Sequence, residues 1–134
     1  MAQEHQAYHH FPDVEKALGY SQAILAGNTL YVSGMISVDE NLTVIGPGNM
    51  LKQIETVYSI LERVLAKHGM TLKNVVKETG FVTNLAAMSE GRAARIAAYK
   101  NAGAYPPAST VVEVKALFSP DATIEVDMIA VKLA

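Results

Sequence analysis

The sequence predicts an α+β fold, one mixed sheet with two helices on one of its faces. Three observations lead there. Strand-like and helix-period segments follow one another as β-β-α-β-α-β-β. Two helices can cover one face of such a sheet and not both. The last strand alternates, with Ile124, Val126, Met128 and Ala130 forming an apolar set opposite Glu125, Asp127, Ile129 and Val131. That second face is too apolar to leave wet and too polar for a plain core, a composition that suits a subunit interface holding a polar pocket. The 134 residues fit one domain, 1–134, with 1–16 as an N-terminal extension.

The elements follow in order. Leu18–Ala26 is apolar and strand-like, Gly27-Asn28 supplies a turn, and Thr29–Ile36 alternates as a second strand, so the pair reads as a hairpin. Asp39-Glu40-Asn41 and Gly46-Pro47-Gly48 punctuate a loop. Asn49 is an N-cap for a long helix whose stripe is Leu51, Ile54, Val57, Tyr58, Leu61, Val64 and Leu65, closed by His68 and Gly69. Leu72–Val76 suits one helical turn and Lys77–Leu85 a strand. A second helix fits Met88–Ala102, opened by Ser89 and closed by Gly103. Tyr105-Pro106-Pro107 forces an extended entry to a strand at Ser109–Leu117, and Thr123–Lys132 is the last strand.

Composition excludes several function classes. Eleven basic against thirteen acidic side chains give a formal charge of −2, with Arg63, Arg92 and Arg95 as the arginines, which disfavours a nucleic-acid partner. With no cysteine, thiolate nucleophiles, disulfides and cysteine metal sites are excluded. No apolar run approaches the ~18–20 residues that span a bilayer, and the polar first ten residues lack a signal-peptide core. The expectation is a cytoplasmic protein without a membrane partner. Charged residues are 18% of the chain, below the ~25% usual for a soluble domain, which points to a surface covered by another copy.

Most motifs have ordinary readings. His9-His10 is read as part of a solvated tail, without the further ligands that a metal site needs. His68 suits a helix C-terminus. Gly46-Pro47-Gly48 lacks the Lys-Ser/Thr of a phosphate loop, and Ser33-Gly34 is no nucleophile elbow. Glu125 stands apart, because a carboxylate inside an aliphatic strand is costly unless paired and tends toward a raised pKa. Two readings stand for it: a group that holds a water and passes protons near neutral pH, or a rim carboxylate paired, with Asp127, to Lys115 or Lys132.

At this point the residues carry a resemblance. Tyr20 stands thirteen residues before Ser33-Gly34, with Gly27-Asn28 between them. Val75-Val76-Lys77 leads to Phe81-Val82-Thr83-Asn84-Leu85, and Pro107-Ala108 to Val112-Glu113-Val114. The stretch from Ile124 to Val131 completes the series. In order and spacing these segments resemble the RidA family, also called YjgF or L-PSP endoribonuclease-like, over Ala17 to Lys132. The resemblance implies a chorismate-mutase-like homotrimer with helices outside and three pockets between neighbouring subunits. It implies hydrolysis of reactive enamines and imines to a keto acid and ammonia, with no metal and no organic cofactor. In that scheme Glu125 positions the attacking water, Tyr20, Ser33 and Gly34 line the pocket, and an arginine grips the substrate carboxylate.

The chain departs from the pattern at that arginine. Alignment on Val112-Glu113-Val114 puts Ser109 in its place, followed by Thr110 and Val111 where active relatives often carry serine and cysteine. Arg92 and Arg95 stand where relatives usually carry Asn and Tyr. A charge-assisted arginine–carboxylate contact contributes about 1.5–3 kcal/mol, so its loss weakens binding roughly ten- to a hundredfold. The expected function is therefore deamination of an imine or enamine other than a simple 2-imino acid. Alternatives are a non-catalytic trimer binding a metabolite or partner in its pockets and, less well supported by the charge, an RNA-cleaving enzyme. Arg92 and Arg95, side by side on one helix face, are read as solvated, with relocation of the missing charge to either one as the competing idea.

Overall fold

The structure, a computed structural model, describes residues 4–133. Six strands form one mixed sheet in the order β1-β2-β3-β6-β4-β5. They are β1 (Gln6–Tyr8), β2 (Ala23–Ala26), β3 (Thr29–Ile36), β4 (Val75–Val82), β5 (Ala108–Glu113) and β6 (Ile124–Val131). The helices are α1 (Pro12–Leu18), α2 (Met50–Ala66) and α3 (Arg92–Asn101). All pairings are antiparallel except β4 with β5. A parallel neighbour needs a crossover, and α3 lies within it.

α2 has the cap that its sequence calls for, Asn49 Oδ1 accepting from the Lys52 N–H at 3.0 Å. Its stripe buries Ile54, Val57, Tyr58, Leu61, Val64 and Leu65 against β3 and β6, each fully buried aliphatic side chain contributing about 1.5–3 kcal/mol. Leu51 departs from the expected stripe and is exposed, and Met50 is buried in its stead. His68 closes the helix as its sequence suggests, its Nδ1 lying 2.8 Å from the Val64 carbonyl. On the sheet side the same core takes Ile124, Val126, Met128 and Ala130, and the opposite residues of β6 are half-buried on the face turned away from α2.

The N-terminal segment corrects the reading of a tail. Residues 6–8 pair with β2, and residues 12–18 form α1. Met1–Gln3 of the expected tail lie outside the described residues. Pro12 opens α1 and Gly19, at φ 83°, closes it with its N–H on Glu15 O at 2.8 Å. The expected strand Leu18–Ala26 therefore shortens to β2, because its first residues end a helix. The following hairpin pairs Ala26 with Thr29 across Gly27-Asn28.

The second helix is also shorter than expected. Asn84 caps a 3-10 segment, Leu85–Glu90, and α3 begins after Gly91. Ser89 is not its cap, since the hydroxyl donates to Ala86 O at 3.1 Å. A Cβ at Gly91 would lie 2.2 Å from Ile54 Cδ1, so the entry to α3 runs against α2 too closely for a side chain. The fifth strand ends at Glu113, short of the expected Leu117.

Candidate functional site

Tyr20, Ser33, Gly34 and Glu125 line one cavity of about 370 Å³ together with Phe11, Leu18 and Phe118. Its floor is a β-bulge. Val32 pairs with Met128 and Met35 with Val126, so Ser33-Gly34 oppose the single residue Asp127. The bulge presses Gly34 on Glu125, where a Cβ would lie 2.6 Å from Cδ and 2.9 Å from Oε2. Glycine is thus what admits the carboxylate at this point. Burial, and then the neighbouring Asp127, raise the Glu125 pKa above the usual carboxylate range. Among the described residues, neither Glu125 nor Asp127 has the lysine partner considered for it.

The Tyr20 side of the cavity is built on a second carboxylate. Glu15 is fully buried and accepts from the Phe11 N–H, from the Gln22 N–H at 2.7 Å and faces His9 Nδ1 at 3.2 Å. Gln22 in turn donates Nε2–H to Ser33 O at 2.9 Å, and the Ser33 N–H donates to Gln22 O at 2.8 Å. The Ser33 hydroxyl donates to Ser21 O at 2.7 Å, so its proton is used in bracing the bulge. Glu15 therefore ties α1, the Tyr20–Gln22 segment and the bulge into one frame. Burial, followed by Glu15 and Glu125, raises the Tyr20 pKa and keeps the phenol protonated. His9 belongs to this frame and not to a solvated tail; the adjacent His10 Nδ1 meets Tyr8 Oη at 3.2 Å. Among the described residues no three metal-ligating side chains converge.

Ser109, Thr110 and Val111 stand apart from these groups in the same protomer. They line a cavity of about 360 Å³ among β4, β5, β6, α2 and α3, with Gly80, Arg92 and Arg95. Its polar wall is a network centred on Glu78, which is 2% exposed. Arg95 donates to Oε1 through both Nε–H, at 2.6 Å, and Nη2–H. The Ser109 hydroxyl reaches the same oxygen at 3.3 Å, and Tyr58 and Tyr99 donate to Oε2 at 2.6 and 2.9 Å. Burial works to lower the Arg95 pKa, and Glu78 outweighs it, so the guanidinium is held more firmly protonated. Burial and Glu78 push both phenols far up. Arg95 is therefore not solvated, whereas Arg92 is exposed at the rim of the cavity. Sequence reasoning missed Glu78, Tyr58 and Tyr99; Glu78 sits between Lys77 and Thr79 in the sequence, and nothing local distinguishes it from a solvated carboxylate.

The family model of Endoribonuclease L-PSP matches residues 12–132. A RutC family protein of Sulfurisphaera tokodaii is 33% identical over 113 residues, covering 84% of this chain and 87% of its own. The 2-iminobutanoate/2-iminopropanoate deaminase of Rattus norvegicus is 33% identical over 66 residues, 49% of this chain and 48% of that protein. The crystal structure of the YjgF gene product from E. coli superposes with a TM-score of 0.78 at 29% identity, covering 85% of this chain and 88% of that one. With the bulge, the sheet order and these likenesses in hand, the chain is a member of the Endoribonuclease L-PSP family, the same group as RidA and YjgF.

Proposed function

We propose that the protein is a hydrolytic deaminase of reactive imines or enamines, working as a homotrimer. The observation that carries the reading is the Glu125 carboxylate, held against Gly34 in a cavity that Tyr20 shares. The likeness to a rat protein named as a 2-iminobutanoate/2-iminopropanoate deaminase supports the reaction class. On the protonated imine, Glu125 takes a proton from water as the water oxygen bonds to the imine carbon and the C=N electron pair moves to nitrogen, giving a neutral carbinolamine. Glu125 returns that proton to the nitrogen, the C–N bond breaks with its electron pair leaving on ammonia, and the carbinol hydroxyl gives its proton to the freed Glu125 carboxylate as the carbonyl forms. A carboxylate with a raised pKa suits both transfers, because its proton affinity lies nearer the operating pH.

The trimer reading rests on two surfaces that one protomer leaves open. The sheet face turned away from α2 carries Tyr31, Ile129 and Val131, and the edge strand β5 is exposed throughout, with Val111 and Val112 on it. At the rim of the Glu125 cavity, Leu18 and Phe118 are exposed as well. In the proposed assembly β5 of one copy faces the Glu125 cavity of the next, which joins Ser109, Thr110 and Val111 to Tyr20, Ser33, Gly34 and Glu125. No cofactor enters this scheme.

A second reading, a non-catalytic trimer that binds a small molecule, draws on Ser109, whose hydroxyl is directed to Glu78 instead of a ligand. RNA cleavage, the activity in the family's name, is poorly served by a formal charge of −2. A coupled assay separates these. With 2-iminobutyrate, 2-aminoacrylate and carboxylate-free imines generated in situ, Glu125-dependent acceleration of ammonia release supports the hydrolase. Saturable binding with no turnover of any imine replaces it with the second reading.

A further inference from the structure

The cavity of about 360 Å³ beneath β4 and β5 has a fixed electrostatic character that the Glu125 cavity does not share. Its deepest cation, Arg95, is engaged by Glu78, and the pair is net neutral. Tyr58, Tyr99 and Ser109 also direct their hydroxyl protons at that one carboxylate. Among the described residues no buried side-chain N or O atom is left without a partner, so a ligand is not required to complete the network. Apart from Thr110 and the rim residue Arg92, the rest of the wall is apolar, with Ile54, Met88, Ile96, Val111 and Val126 among it. An anionic group entering here would lie beside Glu78 with the compensating guanidinium already occupied. Arg92 would meet it only at the rim, where water screens the attraction.

We propose that this cavity is a binding subsite for an uncharged, largely apolar group of a size such as a phenyl or branched alkyl substituent. The inference rests on the deaminase reading for the identity of that group: it is the substituent on the imine carbon, reaching the cavity past Ser109 and Val111. The Glu78–Arg95 pair then sets specificity, putting net neutrality where a free guanidinium would select a carboxylate.

Gly80 provides the test. It lines the cavity on β4, its φ lies outside the left-handed region, and a Cβ there meets only Val111, with Cγ2 at 3.5 Å. Gly80→Ala is therefore accommodated, and Gly80→Leu directs a side chain into the space. Benzyl alcohol and benzoate serve as probes of similar size and different charge, followed by titration calorimetry on the full chain and by methyl NMR at Val111 and Ile54. The expected result is saturable benzyl alcohol binding at least about tenfold tighter than benzoate, lost in Gly80→Leu and weakened in Gly80→Ala. Benzyl alcohol is also expected to compete with imine in the turnover assay. Benzoate binding as tightly as the alcohol, no saturable alcohol binding, binding unchanged in both folded variants, or turnover indifferent to the alcohol would each overturn the proposal. If the probe pattern holds and no imine is turned over, the hydrolytic reading fails and the subsite stands.

Discussion

Glu125 and Gly34 form a pair in which each residue limits the other. The carboxylate occupies space that any other residue at 34 would fill, and the half-buried position raises its pKa. Because its proton is held more tightly in the folded chain than in the unfolded one, Glu125 favours folding below the ordinary carboxylate range. That contribution is lost as pH rises through its raised value. At neutral pH the ionised group works against the fold. Glu125→Gln is therefore expected to leave the melting temperature at pH 7 unchanged or higher while abolishing imine turnover, with calorimetry and the coupled assay as the paired readouts. A lower melting temperature would contradict the burial argument. Because the base must be ionised, the acid limb of kcat/KM against pH is expected above the ordinary value of 4.5. Gly34→Ala should keep the fold, since the tip of Glu125 can shift, and lower turnover by at least about tenfold through misplacement. Unaltered kinetics in that variant would detach the bulge from catalysis. Glu125 was legible in the sequence as an acid in an aliphatic strand, whereas the bulge was not, because one extra residue leaves the local alternation almost intact.

At the scale of elements, two buried carboxylates organise what the helices do. Glu15 ties α1 to the segment bearing Tyr20, and its N–H acceptor role is charge-assisted. Glu15→Ala is expected to cost about 3 kcal/mol in urea unfolding, as two backbone donors lose an ionised partner. Amide exchange should quicken from residue 6 to residue 22; protection equal to wild type would mean that α1 is held by packing alone. The Arg95–Glu78 pair fastens α3 to β4, with the Arg95 guanidinium also 5.3 Å from the Tyr99 ring centroid. Arg95→Ala leaves Glu78 buried without its cation, an expected loss of about 3–5 kcal/mol. Adding Glu78→Gln should recover much of it, and a double variant no more stable than the single one would remove charge burial as the cause. α2 could be read from the sequence almost to the residue because its cap and stripe are local. α1 could not, although Pro12 and Gly19 are its start and stop signals, because the apolar run that follows imitates a longer strand.

Across the whole molecule, the deciding feature is an apolar and acidic sheet face turned away from α2 and α3. Ile129 lies at its centre on β6, the strand between β3 and β4. The proposed trimer predicts a mass near three times 14.4 kDa in sedimentation equilibrium and a melting temperature that rises with protein concentration. Ile129→Lys should shift the mass toward the monomer and remove the concentration dependence. A folded wild-type chain sedimenting as a monomer would dismiss both the trimer and a pocket shared between copies. Among the described residues no helix is long and apolar enough to cross a membrane.

The sequence by itself determined the α+β class, the mixed sheet, the long helix and the family, because these follow from periodicity, capping residues and ordered short motifs that act over a few neighbours. It also marked Tyr20, Ser33, Gly34 and Glu125, which the fold brings to one cavity. Only the tertiary structure decided the fate of the two arginines. Arg95 is joined to Glu78, seventeen residues away in the chain, and Arg92 is not. It likewise separated Ser109, Thr110 and Val111 from Glu125 within the protomer and turned Ser109 toward Glu78. Charge pairing between a helix and a sheet depends on which strand the helix packs over, and β4 meets β5 and β6 through crossovers whose partners no local pattern specifies.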